Sequence, residues 1–388
     1  MRPSLLAALG AVVCALSFVN CEATQDFASA RAPEQVLPAK DAAPAPLPCE
    51  TQNDPANCGA CGHSCLGGTC AAGRCQPALL ARTHWFTGPV LAGQDRGFTA
   101  PIALVDGGVL WADEAGLWQV DRSGGVITKL ARPTQQIGDT TYGAYIDQII
   151  VHGGELFLLG HGAGRIWRAH LDGAALEAVV VDPEPNSITG FDVDDTQLVW
   201  GRWGGGLFTC PRAGCSGPPR ALGESKDVFF VKLLGSEALY TAGYGIDTTF
   251  RSAPMAGGSS RVLAEGLGFV SGLQTDGTNA FVLGSRGFVL RMPIRGGDAK
   301  RDILTGSRVT VRSGIAVDAS FVYWADEGQS AIFRAPKGGG APEAIATHVV
   351  RPFAITTDDV AIYFTTQGSD QTGPQGTVMK LAKPLARR

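Results

Sequence analysis

The side chains with chemistry to offer begin with cysteine. Cys49, Cys58, Cys61, Cys65, Cys70 and Cys75 fall within 27 residues, and Cys210 and Cys215 form a second close pair. Cys58-x-x-Cys61 with His63 beside it has the spacing of half a zinc site, but the later gaps of three, four and four residues do not supply the second pair that a tetrahedral site draws on. A segment this short, with almost no large apolar side chains, needs covalent links in place of a core, so three disulfides are expected, with 15 pairings open. Cys210 and Cys215 are expected to bridge a turn, their gap being too wide for a Cys-x-x-Cys redox pair. His152, His161 and His170, nine residues apart, raise an acid–base or metal reading. No Gly-x-Ser-x-Gly elbow, phosphate loop or zinc-protease helix occurs. No metal site or resident cofactor is expected; the exception would be a divalent cation bound by loop carboxylates such as Asp326, Glu327 and Asp370.

These residues sit in a chain of 388 that is 45% hydrophobic and 18% charged, ordinary for a globular protein. Its 52 glycines and 23 prolines recur between short apolar runs, the punctuation of an all-β chain. A net charge of -4 without long basic runs gives no footprint for nucleic acid. The uncharged apolar stretch from Leu5 to Val19, behind Met1 and Arg2, suits the centre of a secretory signal and is too short and weakly flanked for a membrane span. Residues 22–48 hold five prolines, eight alanines and one aromatic, the composition of an extended, semi-rigid tether.

Phe18-Val19-Asn20-Cys21 resembles the end of a bacterial lipoprotein signal, which implies lipidation of Cys21 and a membrane contact through that anchor alone. Asn20 departs from the small residue usual before that cysteine, and ordinary cleavage at or just after residue 20 is the alternative. The "NCGACG" run in residues 49–75 is similar to cysteine-rich modules that precede repeat domains in secreted bacterial proteins. That resemblance implies a spacer or surface module.

From residue 76 onward one unit recurs. Val317-Asp318-x-x-x-Val322-Tyr323-Trp324-Ala325-Asp326 has close copies ending at Asp113 and Gly201 and weaker ones from 151, 235, 275 and 357. Aligned on Trp324, the copies place Trp111, Leu158, Trp200, Thr241, Val282, Trp324 and Phe364 in one column, with gaps of 47, 42, 41, 41, 42 and 40. A second column holds Trp118, Trp167, Phe208, Phe250, Leu290, Phe333 and Met379. Glycine pairs such as Gly124-Gly125 and Gly338-Gly339 follow and read as two-residue hairpin turns. Four short strands in about 42 residues make a propeller blade, because only a ring of such blades buries both faces of each. Seven blades are expected, six or eight if a weak copy is misread, with residues 76–83 lending the seventh its missing fourth strand. Asp106, Asp194, Asp276, Asp318 and Asp358 are expected to satisfy backbone donors at a repeated turn. Five of the seven residues after the second column, Arg168, Arg251, Arg291, Arg334 and Lys380, are basic and are expected to pair with carboxylates or face water.

The repeat resembles the YWTD propellers of lipoprotein receptors and the secreted bacterial propellers related to lyases and NHL-type domains. It is closest at Tyr323-Trp324-Ala325-Asp326 and Leu110-Trp111-Ala112-Asp113, where Ala stands for the usual Thr. What this implies is a rigid disc for protein or ligand binding. The loops between second and third strands differ from copy to copy, and they supply His161, Arg202, Trp203, Tyr244, Arg286 and Glu327 as a candidate polar and aromatic binding rim; solvated loop residues without a partner are the alternative. A metal at the centre would draw histidines from different blades, and no such series exists. The leading expectation is an exported, surface-tethered, monomeric propeller binding a protein, peptide or glycan. A cation-dependent propeller lyase or hydrolase and a passive envelope scaffold are the other readings.

Overall fold

The computed structural model describes residues 49–83, 101–113, 115–137, 140–143, 145–161, 164–184, 187–223, 227–284, 287–294, 300–304, 314–367 and 375–385. Cys21, the leader and the tether lie outside them. Residues 49–388 form one compact unit.

The unit holds seven four-stranded antiparallel sheets, each with its strands side by side in chain order except at the seam. In blade six, for example, the strands are Ile315–Val317, Phe321–Asp326, Ala331–Pro336 and Glu343–Thr347. Blade seven runs Pro352–Thr357, Ala361–Thr366 and Thr377–Ala382, and its fourth strand is Ala78–Arg82 from the other end of the propeller. That strand pairs Ala78 with Lys380 and Arg82 with Thr377, so the ring closes as the repeat count requires. The widest repeat gap, 47 residues, is filled by an added hairpin, Thr134–Ile137 with Thr140–Gly143, between blades one and two.

The two apolar columns are cross-strand partners in all seven blades. Trp111 faces Trp118, Trp200 faces Phe208 and Trp324 faces Phe333, with Leu158–Trp167, Thr241–Phe250, Val282–Leu290 and Phe364–Met379 between and after them. Trp324 and Phe333 stack 5.5 Å apart at 11°. Leu110, Phe157, Val199, Tyr240, Phe281, Tyr323 and Tyr363, one residue earlier in the second strand, point to the opposite face and are also buried. Adjacent sheets cover both faces of this strand, so it reads as a continuous apolar run rather than an alternation.

The turn aspartates do what their repetition suggests, and more. One oxygen each of Asp194, Asp276, Asp318 and Asp358 accepts two backbone N–H groups across the turn at 2.7–3.0 Å. In three of them the other oxygen reaches across the blade interface: Asp276 to Lys337 at 2.6 Å, Asp318 to Lys383 at 2.7 Å and Asp358 to Arg122 at 3.1 Å. Arg212 of blade three does the same to Glu155 of blade two at 2.6 Å. All four cations stand four residues beyond the second column. Tyr323 and Tyr363 donate their hydroxyls to Asp318 and Asp358 at 2.7 and 3.0 Å. Burial opposes ionisation of Asp318, but the Lys383 ammonium, the Tyr323 hydroxyl and the two amides outweigh it and hold the carboxyl at about 2. Burial, helped by the same aspartate, pushes the Tyr323 phenol up.

The structure departs from the sequence expectation at two kinds of turn. Asp106 does not share the aspartate turn: Val105 pairs with Gly108, leaving a two-residue turn in which Asp106 is exposed. The glycine pairs are not two-residue hairpins either. Gly124, Gly257 and Gly339 each donate an N–H to the residue three positions back, opening longer loops, and in blade six the left-handed pair is Gly339-Gly340 (φ 102° and 141°) rather than Gly338-Gly339.

The cysteine segment carries bridges Cys49–Cys61, Cys58–Cys70 and Cys65–Cys75 around the small hairpin Cys70–Ala71 and Arg74–Cys75. It packs on the propeller: Cys58, Cys65, Cys70 and Cys75 join a core cluster with Ile345 and Ala346 of blade six and Leu381 and Ala382 of blade seven. Leu66 enters the same cluster, and His63 Nε2 donates to the Lys383 carbonyl at 3.0 Å.

Candidate functional site

Antiparallel order puts the second-to-third-strand loops and the blade-to-blade connections on one face. Two of the predicted rim residues meet there. Trp203 follows the second strand of blade three, Gln197–Arg202, and its N–H is taken by the Ser187 carbonyl at 2.7 Å. Tyr244 lies between Gly243 and Gly245, whose φ of 89° and 70° turn the chain sharply enough to present the ring outward. The 3-10 turn Gly245–Asp247 follows, closed by the Thr248 hydroxyl donating to the Gly245 carbonyl at 2.9 Å.

The rings of Trp203 and Tyr244 lie 5.3 Å apart at 69°. Phe229, in the first strand of blade four, joins Trp203 at 5.4 Å, and Phe269, one residue before the first strand of blade five, joins Tyr244 at 4.9 Å. Four rings thus form a continuous ridge across blades three to five. Trp203 is 49% exposed, Tyr244 58% and Phe269 37%, and Ile246 beside them is 68% exposed. Sequence reasoning missed Phe229, Phe269 and Ile246. Phe230, beside Phe229, packs on the core of blades four and five.

Arg202 is not part of that exposed surface. Its guanidinium lies 3.0 Å from Asp182 and 3.0 Å from Glu184, and over the Phe208 ring at 5.3 Å, so its charge is matched beside the ridge. Glu327 lies at the junction of blades six and seven, 3.1 Å from Arg351, which also donates to Gln367 at 3.1 Å. Ser330, His348 and Arg351, all in the connections at this junction, have φ of 50°, 60° and 48°, unusual for side chains other than glycine. Asp326 is fully buried and accepts the Gln329 backbone N–H at 3.0 Å and side-chain amide at 2.9 Å. Asp113 plays the same part in blade one, accepting the Ala115 N–H and the Trp118 indole. The last residue of the Tyr-Trp-Ala-Asp copy therefore caps its own loop. The side chain of His161, and Arg286 and Asp370, lie outside the described residues.

The histidines of blade two do not converge through the sheet. His152 and His170 flank Glu155 at one end of the blade, whereas His161 pairs with Tyr145 at the other. His152 Nε2 is 2.8 Å from Asp195. Sulfurs of Cys58, Cys65 and Cys75 lie within 4.8 Å of one another, but each is in a disulfide and none is a thiolate that could hold a metal. Cys210 and Cys215 bridge the turn between the third and fourth strands of blade three, away from the ridge.

No protein family matches this chain, and no curated protein matches it in sequence. Among solved structures it is similar to a streptogramin B lyase, at 15% identity and a TM-score of 0.56 over 74% of this chain and 93% of that one. It is also similar to a catalytically inactive virginiamycin B lyase from Staphylococcus aureus with quinupristin, at 15% identity and a TM-score of 0.57 over 80% and 99%. A nidogen/laminin complex matches at 14% identity and a TM-score of 0.42 over 67% and 83%. At these identities the likeness is one of fold.

Proposed function

We propose that this chain is an exported propeller, tethered to a surface through Cys21 and residues 22–48, that binds a protein, peptide or glycan on its loop face. The observation that carries the reading is the ridge of Trp203, Phe229, Tyr244 and Phe269, three of whose rings are more than a third exposed. A contiguous aromatic surface left open to water costs free energy, and aromatic side chains are the commonest anchors of binding interfaces. The ridge is also rigid before any ligand arrives, since it stands on three blades and its loops are closed by their own hydrogen bonds, so little ordering remains to oppose binding. Export is supported by four disulfides, which persist in oxidising compartments.

The test is binding of the wild-type chain to glycan and peptide arrays beside a Trp203→Ala/Tyr244→Ala variant. Ligands lost with the variant while its thermal midpoint holds support the reading. Ligands retained in full would remove the ridge as the site. Labelled palmitate carried by the wild-type chain and absent from Cys21→Ala would support the anchor; equal label in both would refute it.

A further inference from the structure

We infer that the partner of the ridge is a cationic polypeptide segment that sets aliphatic or aromatic anchors between lysines or arginines; this rests on the reading that the ridge binds a ligand. The ring geometry favours side chains over sugars. Trp203 meets Phe229 at 83°, Tyr244 meets Trp203 at 69°, and Phe269 meets Tyr244 at 84°. Edge-to-face contacts make a knobbed surface with clefts between rings rather than the flat platform on which successive sugar rings stack. Such clefts accept branched and planar side chains.

The charge around the ridge favours a cationic partner. Among the described residues, the connecting segments on this face of blades three to five carry five carboxylates, Asp182, Glu184, Asp227, Asp247 and Glu265, and one cation, Arg202. That cation already lies between Asp182 and Glu184. Asp227 is tied to the Trp203 loop, where it accepts the Gly204 N–H at 2.8 Å. Asp247 is exposed three residues from Tyr244, and Glu265 is exposed four residues before Phe269. A carboxylate surplus around an apolar ridge repels acidic peptides and nucleic acid and draws in lysine and arginine. Their methylene stems can lie along the rings while the charged ends reach the carboxylates or an aromatic face.

The experiment is selection from a random-sequence displayed peptide library on the full chain with its disulfides intact, in parallel with the Trp203→Ala/Tyr244→Ala variant of matched thermal midpoint. Enriched peptides are expected to combine positive net charge with Trp, Phe, Leu or Ile. Made as a soluble peptide, the best of them should bind the variant about tenfold or more weakly. It should also weaken about threefold or more on Asp247→Asn, and again on raising salt from about 50 to about 500 mM. Enrichment of neutral or acidic peptides, or equal binding to the variant, overturns the inference. Glycan hits lost with the variant, with no peptide enriched, also overturn it but leave the binding reading standing. No ligand of either kind overturns both.

Discussion

Arg122 Nη1 in blade one lies 3.1 Å from Asp358 Oδ2 in blade seven, 236 residues away in sequence. Beside it, Lys380 of blade seven donates to the Arg122 carbonyl at 2.8 Å. The interblade contact made by Lys337 and Lys383 is thus repeated between blades seven and one, which the chain joins only through the closing strand Ala78–Arg82. The two partners are unequal. Asp358 also accepts the Val360 and Ala361 amides and the Tyr363 hydroxyl, so Asp358→Ala should lower stability by about 2 kcal/mol and Arg122→Met by about 1 kcal/mol. Urea midpoints of the two variants and their double mutant measure this; strict additivity would show that the pair is not coupled.

Acid should act through the same turns. Asp318, held at about 2 against an ordinary 3.8, contributes stability that is fully present above pH 4 or so and lost as pH falls towards 2, a change of about 2 kcal/mol. Lys383→Met removes the strongest of its stabilising partners. The fall in urea midpoint between about pH 5 and pH 2 should therefore be shallower in the variant. Parallel curves for the two proteins would show that Lys383 does not set the Asp318 titration.

Two tryptophans should separate structure from binding. Trp324→Ala empties a fully buried site stacked on Phe333 and should cost about 3–5 kcal/mol. Trp203→Ala, at a half-exposed position, should move stability by no more than about 0.5 kcal/mol while weakening ligand capture. Thermal midpoints read beside array binding test the contrast, and a large stability loss at Trp203 would recast the ridge as packing.

The cysteine segment should stabilise the ring as well as itself. It packs on blades six and seven and leads directly into the closing strand, so Cys65→Ala/Cys75→Ala should destabilise the whole unit by about 2–4 kcal/mol and lower the midpoint of its single transition. Calorimetry checks it. An unchanged main transition with a separate early one for residues 49–75 would show an independent module.

Architecture was legible because it rests on repetition. The columns at Trp324 and Phe333 recur wherever a sheet packs on its neighbours, and their spacing alone yields blade count and closure. The aspartate column was half legible: its turn bonds are local, whereas the Asp318–Lys383 contact joins blades, and the cations showed only as a fourth-residue column that mixes Arg122, Arg212, Lys337 and Lys383 with apolar residues. Trp203 and Tyr244 were found as departures from the repeat. Phe229 and Phe269 were not, because in sequence they look like core residues, and which side of a first strand is wet depends on ring packing. Arg202 was legible as a loop residue, but its carboxylate partners lie in the preceding connection.

The pairing of Ala78–Arg82 with Thr377–Ala382 also sets an order in time. Each blade but the last can form from strands that leave the ribosome together. The closing strand emerges before any of them and finds its partner after all of them. Until then an early segment must wait with an open edge, and blade seven, once made, has a vacant lane beside Thr377–Ala382. Non-local pairing of this kind is slow, and open edges recruit other chains. Premature termination late in synthesis, or crowding by other unfinished copies, should therefore yield strand exchange between molecules, with one chain's leading strand completing another's ring.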